Sequence, residues 1–181
     1  MTKIGLEIHC QLTHLKSKLF CSCKANYREF EPNHNICPVC MGLPGSLPRL
    51  NQKAVESATS IALALSCETP EKIAFFRKNY FYPDLPKNFQ ITQLNVYGDM
   101  SVGGEGYVSV EDKKIKIRRI QLEEDPGRII YEGASERTKI TLVDYNRAGT
   151  PLVEIVTDPD FENPRQVRVF LNILSDLLEN L

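Results

Sequence analysis

The sequence has no tryptophan, only three histidines and three methionines, and no large excess of charge of either sign. With a formal net charge of −1 it offers no global attraction to nucleic acid, so any RNA contact must rest on a local patch. No apolar run approaches the ~18 residues that a membrane-spanning helix needs, and no GxxxxGK[ST] segment provides a P-loop. The N-terminus also lacks a charged segment followed by an apolar stretch. We therefore expect a cytoplasmic protein with no membrane partner.

Four segments predict strands, either by alternation of apolar and polar residues or by β-branched content. They are residues 4–11, 107–110, 114–122 and 152–156. In the third segment the apolar positions change from odd to even between Ile117 and Ile120, so we expect a β-bulge near residues 118–119.

Two segments predict helices. Asn51 is a suitable N-cap for a helix that runs to about Leu65. Asn163 and Pro164 open a second helix, and the chain ends inside its apolar stripe, so we expect a fragment of a longer protein. The stripe consists of Val167, Phe170, Leu171, Leu174, Leu178 and Leu181. With 181 residues, 42% of them hydrophobic, the pattern predicts one α+β domain with a mainly antiparallel sheet and few helices.

Four of the six cysteines form two pairs at metal-ligand spacing, Cys21-x-Cys23 and Cys37-x-x-Cys40. In a chain without a secretory signal this pattern favours metal over disulfides. Four thiolates suit a closed, structural zinc site, which would hold residues 20–42 as an excursion from the first strand. The alternative is a set of free, buried cysteines.

A second constellation is acidic. On a strand, Glu7 and His9 point to the same face about 6 to 7 Å apart and can clamp a hard cation from one side. Glu124 continues the even face of its strand beside Leu122 and is expected to turn inward, where a carboxylate needs a cation or a hydrogen-bond donor. The alternative is that these are three unrelated surface groups.

Residues 75–93 (FFRKNYFYPDLPKNFQITQ) combine bases, aromatic residues and two prolines. Pro83 and Pro86 exclude a helix interior and a central strand, and predict a rigid loop. Cations beside aromatic faces are typical of phosphate or nucleotide binding, although an aromatic-anchored surface loop is the alternative. As an exposed loop residue, Lys87 is expected to contribute little to stability.

Five segments, in this order and over nearly the whole chain, resemble the family of aspartyl/glutamyl-tRNA(Asn/Gln) amidotransferase B subunits. They are IGLEIHCQL (4–12), CPVCMGLPGSLPRLNQKAV (37–55), the segment 75–93, QLEEDPG (121–127) and VDYNRAGTPLVEIVTDPD (143–160). The resemblance implies that residues 1–181 are the N-terminal part of the family's glutamine synthetase-like cradle domain. The family's helical and tRNA-binding tail domains are then absent from this chain.

The resemblance also implies an ATP-dependent ligase that works as a heterotrimer. In this family, ATP phosphorylates the side-chain carboxylate of misacylated Glu-tRNA(Gln) or Asp-tRNA(Asn). Ammonia, which the amidase (the A subunit) releases from glutamine, then forms the amide, and the small C subunit completes the complex. The implied cofactors are ATP and Mg²⁺; zinc is not universal in the family.

By position, the resemblance assigns roles to several residues. Magnesium ligands are expected at Glu7, His9 and Glu124. Glu123 is a weaker candidate, because its odd-numbered position falls on the other face of the strand from Glu124. Catalytic roles near the site and the ammonia path are expected for Glu124, Lys78 and Lys87. Substrate or channel contacts are expected for Tyr82, Asp84 and Thr150, with Asp144, Asn146 and Arg147 as a further wall.

A competing hypothesis is a non-catalytic zinc module that binds RNA or protein. The candidate magnesium ligands discriminate between the two, because a pure binding module has no use for an inward magnesium site.

Overall fold

The computed structural model describes residues 2–94, 100–132 and 140–181. Within them the chain forms eight strands and two helices. In chain order these are β1 (Glu7–Gln11), α1 (Gln52–Ala64), β2 (Phe76–Asn79), β3 (Phe89–Thr92), β4 (Gly103–Val110), β5 (Lys113–Glu124), β6 (Arg128–Glu132), β7 (Ile140–Asp144), β8 (Pro151–Thr157) and α2 (Pro164–Glu179).

The main sheet has four strands in the order β1-β8-β5-β4, and each neighbouring pair is antiparallel. Two further two-stranded sheets, β2-β3 and β6-β7, are also antiparallel. The predicted α+β fold with a mainly antiparallel sheet and few helices is therefore confirmed. Neither described helix is long and apolar enough to cross a membrane.

The expected β-bulge in β5 is present. The pairing of β5 with β8 shifts register between Ile117 and Arg119. Ile117 before the bulge and Ile120 and Leu122 after it are all fully buried, so the bulge keeps the apolar side chains on one face although their parity changes. The odd-numbered residues after the bulge, including Glu123, consequently point to the other face.

Helix α1 begins where the sequence predicts. The side chain of Asn51 accepts a hydrogen bond from the Lys53 amide at 2.9 Å, which satisfies one of the free amides of the first turn. The buried face of α1 is small, with three alanines beside Ile61, and this lets the helix lie close to β4. At Gly103 of β4 a Cβ atom would lie 2.8 Å from the Ala62 Cβ atom of the helix, so the close approach requires glycine there.

Helix α2 also has the expected cap, since Asn163 accepts from the Gln166 amide at 3.0 Å. Phe170 and Leu174 are buried in the core shared with α1 and the sheet. Val167 and Leu178 are partly buried against this core, and two members of the expected stripe are exposed, Leu171 by 40% and Leu181 by 63%. Leu171 lies at the edge of the stripe, where one side of the helix already faces water.

The segment 75–93 is not simply a loop. Its two ends pair as the hairpin β2-β3, and the prolines lie in the connection between the strands. Sequence reasoning excluded a central strand correctly but missed this short isolated pair. Tyr80, Phe81 and Tyr82 lie on the connection, and Phe81 is 85% exposed.

Candidate active site and cysteine centre

Three neighbouring strands bring an imidazole and three carboxylates together on the face of the main sheet that carries Glu123. His9 of β1 lies opposite Glu154 of β8, which lies opposite Gln121 of β5. The His9 Nε2 atom is 3.4 Å from a Glu154 oxygen and 3.6 Å from a Glu123 oxygen. It is also 3.8 Å from a Glu7 oxygen. We call these four side chains the acidic cluster.

The acidic cluster has the donor set of a divalent cation site. Ligand atoms of Glu7, His9 and Glu154 all lie within 4.8 Å of one another, and Glu123 adds a further carboxylate beside them. Glu7 and His9 are half-exposed, whereas the Glu154 and Glu123 side chains are 11% and 7% exposed. The site is thus closed by protein on one side and open on the other, which leaves positions for water and phosphate oxygens.

Electrostatics also favours a cation in the cluster. Burial raises the pKa of the Glu123 carboxyl, and the neighbouring Glu154 raises it further. The Thr92 hydroxyl opposes this by donating a hydrogen bond to Glu123 at 2.7 Å. Two inward carboxylates so close together repel each other, and a bound cation would relieve that repulsion.

The acidic cluster lines an open cleft of ≈ 500 Å³. Lys78, Tyr80 and Arg147 line the same cleft, and Lys78 is close enough to lower the pKa of Glu123. Arg147 is fixed by hydrogen bonds to the carbonyl oxygens of Pro126 and Gly127 at 2.9 and 2.7 Å. The cleft therefore places a fixed guanidinium and a lysine beside the carboxylates, and phosphate binding requires such positive charge.

Glu124 does not belong to the acidic cluster. It follows Leu122 on the core-facing side of β5, where its carboxylate accepts hydrogen bonds from Lys87 Nζ at 2.6 Å to each oxygen. The Ile91 amide donates to the same carboxylate at 2.8 Å. The expected grouping of Glu124 with Glu7 and His9 is thus wrong in its geometry, because Glu124 lies on the opposite face of the sheet.

Lys87 is not an exposed loop residue. The Lys87 and Glu124 side chains are 8% and 5% exposed, and burial raises the pKa of Glu124 against the lowering effect of Lys87. A cavity of ≈ 230 Å³ borders the pair, and Cys40, Gly42 and Arg77 lie in its wall. We call it the Lys87 cavity. The premise of the expectation that Lys87 contributes little to stability, an exposed position, is therefore wrong.

The four predicted cysteines converge. Their sulfur atoms lie within 4.8 Å of one another, and all of them are free thiols. The Cys37 amide donates to the Cys40 sulfur at 3.1 Å. A hydrogen bond from Cys21 and the nearby ammonium of Lys18 lower the pKa of Cys40 to about 5. The geometry and the amide donor fit a tetrahedral thiolate site, which we call the cysteine centre.

Residues 144–146 anchor the excursion that carries the cysteine centre. Asp144 accepts from the Asn33 amide at 3.0 Å, and Asn146 accepts from the Asn35 amide at 2.7 Å. Asn33 in turn accepts from the Tyr145 amide at 2.8 Å. Of the expected further wall, Arg147 lines the cleft, whereas Asp144 and Asn146 hold the excursion.

The three expected substrate or channel residues line neither the acidic cleft nor the Lys87 cavity. Thr150 is fully buried, and its hydroxyl has no hydrogen-bond partner among the described residues. Asp84 Oδ1 is buried and equally unpaired in that part of the chain. Tyr82 is 52% exposed.

Sequence reasoning missed two important side chains, Glu154 and Lys18. Glu154 interrupts the apolar run of β8, and a lone acid in such a run is a signal that could have been used. Lys18 is fully buried but has no such signal, because it stands in an ordinary polar segment of the sequence.

Comparison with known proteins matches residues 2–181 to the family described as GatB/GatE catalytic domain. Two similar proteins carry the name of the B subunit of aspartyl/glutamyl-tRNA(Asn/Gln) amidotransferase. The protein from Saccharolobus solfataricus is 52% identical over 182 residues, which cover 100% of this chain and 39% of the relative. The protein from Methanospirillum hungatei JF-1 is 52% identical over 184 residues, which cover 99% of this chain and 38% of the relative. The chain thus spans about two fifths of the length of these relatives.

Proposed function

Since the chain belongs to the GatB/GatE catalytic domain family, we propose that it is the first part of the catalytic cradle domain of a tRNA-dependent amidotransferase B subunit. The proposed substrate is Glu on tRNA(Gln) or Asp on tRNA(Asn). ATP phosphorylates its side-chain carboxylate with release of ADP, and ammonia then displaces phosphate to give the amide. The names of the similar proteins support this assignment.

The observation that carries the proposal is the acidic cluster in an open cleft with Lys78. We propose Glu7, His9, Glu123 and Glu154 as the residues that hold Mg²⁺. A bound Mg²⁺ would neutralise charge on the phosphoryl group as it moves to the carboxylate. Lys78 adds positive charge on the same side, and Arg147 and Tyr80 shape the wall of the cleft.

The Lys87 cavity is proposed for the amination half-reaction. Glu124 directly follows Glu123 of the acidic cluster on β5, but it lies on the other face of the sheet, where Lys87 contacts it. A buried carboxyl whose pKa is raised by burial is suited to exchange protons with ammonium. We therefore propose Glu124 and Lys87 as catalytic residues of the amination half-reaction.

The partners and the location belong to the same proposal. Ammonia would come from glutamine hydrolysed by the amidase (the A subunit), with the small C subunit and misacylated tRNA completing a cytoplasmic complex. Tyr82, Asp84 and Thr150 remain proposals for substrate or channel contacts that further segments of the protein would complete. The unpaired hydroxyl of Thr150 is the best supported of the three.

The decisive experiment uses the full-length protein in its complex, with misacylated tRNA, ATP and Mg²⁺. We expect ADP release that depends on the misacylated tRNA, followed by amide formation when glutamine is added, and loss of both when Mg²⁺ is chelated. Binding of tRNA without ATP cleavage would contradict the proposal and favour the non-catalytic zinc module.

Zinc in the cysteine centre gives a separate prediction. We expect about one zinc per chain in the reduced protein, because four sulfurs within ligand distance of one another form a closed site. Elemental analysis measures it, and Cys21→Ser/Cys40→Ser should lose the metal. Cys10→Ala is the matched control, since Cys10 lies outside the centre.

Chelation of this zinc should loosen residues 20–42 in hydrogen exchange more than α2. Metal-free protein from a zinc-replete preparation, or equal loosening of both regions, would contradict the zinc assignment.

A further inference from the structure

Lys18 is fully buried next to the cysteine centre. In the described part of the chain its ammonium group donates to the Asn35 carbonyl oxygen at 2.8 Å and to the Cys40 sulfur at 3.8 Å. No carboxylate of the described residues forms an ion pair with it. A buried ammonium without a counter-charge is costly, so the negative charge that balances Lys18 must come from the cysteines.

The backbone around Lys18 is held by hydrogen bonds on both sides. Its amide donates to the Cys23 carbonyl oxygen at 2.8 Å, and the next residue, Leu19, donates to Gly149 at 2.9 Å. Gly149 has φ +87°, and a Cβ atom there would lie 3.4 Å from Lys18 Cδ and 3.5 Å from Cys40 Cβ. These are ordinary contact distances, so the positive φ and not a lack of space favours glycine here, and Gly149 packs beside both the lysine stem and the cysteine.

The net charge of the cysteine centre determines whether it can balance the positive charge of Lys18. Four thiolates around one divalent zinc carry two negative charges in excess. Two disulfides carry none and would leave the ammonium unbalanced, and the reduced, metal-free centre carries less negative charge than the loaded one. The position of Lys18 thus fits the metal-loaded centre best and does not fit an oxidised one.

We propose that Lys18 is the fixed counter-ion of the metal–thiolate centre, positioned by Asn35 and Gly149 to stabilise the loaded, negatively charged form. The proposal rests on zinc binding as proposed above. It adds that zinc affinity depends on a lysine that is not a ligand.

Zinc affinity of the chain tests this directly, by competition with a chromogenic chelator. Lys18→Met keeps the length of the stem and removes the charge, and we expect ~10- to 100-fold weaker zinc binding, the range found for residues that support metal ligands. Lys16→Met, in an exposed lysine two residues away, is the matched control and should bind zinc as the wild type does. Lys18→Arg keeps the charge and should lose less affinity than Lys18→Met.

The stability of the loaded and the metal-free form provides a second readout. Loaded with zinc, Lys18→Met should resist urea less than the wild type. Stripped of metal, the same variant should lose less resistance to urea, because the metal-free centre carries less negative charge for the ammonium to balance. The spectrum of the Co²⁺-loaded variant should remain that of a tetrahedral thiolate site, since all four ligands are kept.

The outcomes separate the two proposals. A wild-type chain that binds no zinc overturns the zinc assignment itself. A wild type that binds zinc no more tightly than Lys18→Met overturns the role of Lys18 alone, as does equal destabilisation of the loaded and stripped forms. If Lys18→Met is insoluble, a soluble Lys18→Arg with tight zinc binding supports the role of the positive charge as counter-ion. Insolubility of both variants would show that only the packing of the lysine stem matters and would overturn that role.

Discussion

Glu123→Gln is expected to abolish Mg²⁺-dependent ATP cleavage in the intact complex, while Glu124→Gln leaves divalent-metal binding unchanged. A carboxylate oxygen of Glu123 lies 3.6 Å from His9 Nε2, whereas the Glu124 carboxylate accepts a hydrogen bond from Lys87 on the other face of the sheet. Because loss of a residue that only supports a ligand already costs ~10- to 100-fold in metal affinity, loss of a buried carboxylate donor should weaken binding on the order of 100-fold or more. His9→Ala should behave like Glu123→Gln.

The measurement has two parts. Mn²⁺ binding, followed by electron paramagnetic resonance, reports the metal site without turnover, and ADP release with misacylated tRNA reports the phosphorylation step. Glu124→Gln is the control for metal binding, and glutamine hydrolysis by the partner amidase is the control for an intact complex. Loss of Mn²⁺ binding in Glu124→Gln but not in Glu123→Gln would return the metal site to the grouping expected from sequence.

Lys87→Met is expected to destabilise the fold by ~3–5 kcal/mol at neutral pH, since removal of one partner leaves a buried charge uncompensated. Glu124 is 5% exposed and cannot turn to water. The double variant Lys87→Met/Glu124→Gln should recover much of the loss, because it leaves no buried charge. Urea unfolding of the wild type, both single variants and the double variant measures the coupling.

The pH dependence of Lys87→Met has a defined sign. Burial raises the pKa of Glu124 even beside Lys87, and removal of the ammonium raises it further. A carboxyl with a raised pKa in the folded state favours folding while it is protonated and loses that contribution as pH rises through the folded-state pKa. The deficit of Lys87→Met should therefore shrink on acidification, and a deficit that grows instead would contradict the pairing.

Much of the fold was predictable because local signals and tertiary structure agree. The Asn51 and Asn163 caps mark the starts of both helices, and the change of parity in β5 located the bulge. The spacing of the four cysteines was sufficient to predict their convergence. Each of these signals acts over a few residues, which is the range that a sequence pattern describes.

The grouping of the acids was not predicted correctly, although the sequence contained the necessary facts. Glu7 and His9 were placed opposite the apolar face of β1, and Glu124 was placed on the apolar face of β5. A single site made of all three residues would have required the apolar face and the opposite face of the sheet to be the same face. The partner strand β8 brings Glu154 opposite His9. The order of strands in a sheet cannot be read from a single strand, so the sequence pattern of β1 could not show this neighbour.

The bulge in β5 has a consequence for which changes of length the chain can accept. The extra residue near Arg118 absorbs a change of parity, so that Ile117, Ile120 and Leu122 share the core face. Deletion of this bulged residue would leave the pairings on either side of it as they are. Deletion of one residue between the bulge and Glu123, where the strand is regular, would instead exchange the faces of Glu123 and Glu124, so a gain or loss of one residue there is not tolerable. Glu123 can line the acidic cleft and Glu124 the Lys87 cavity only while the number of residues between the bulge and Glu123 is unchanged.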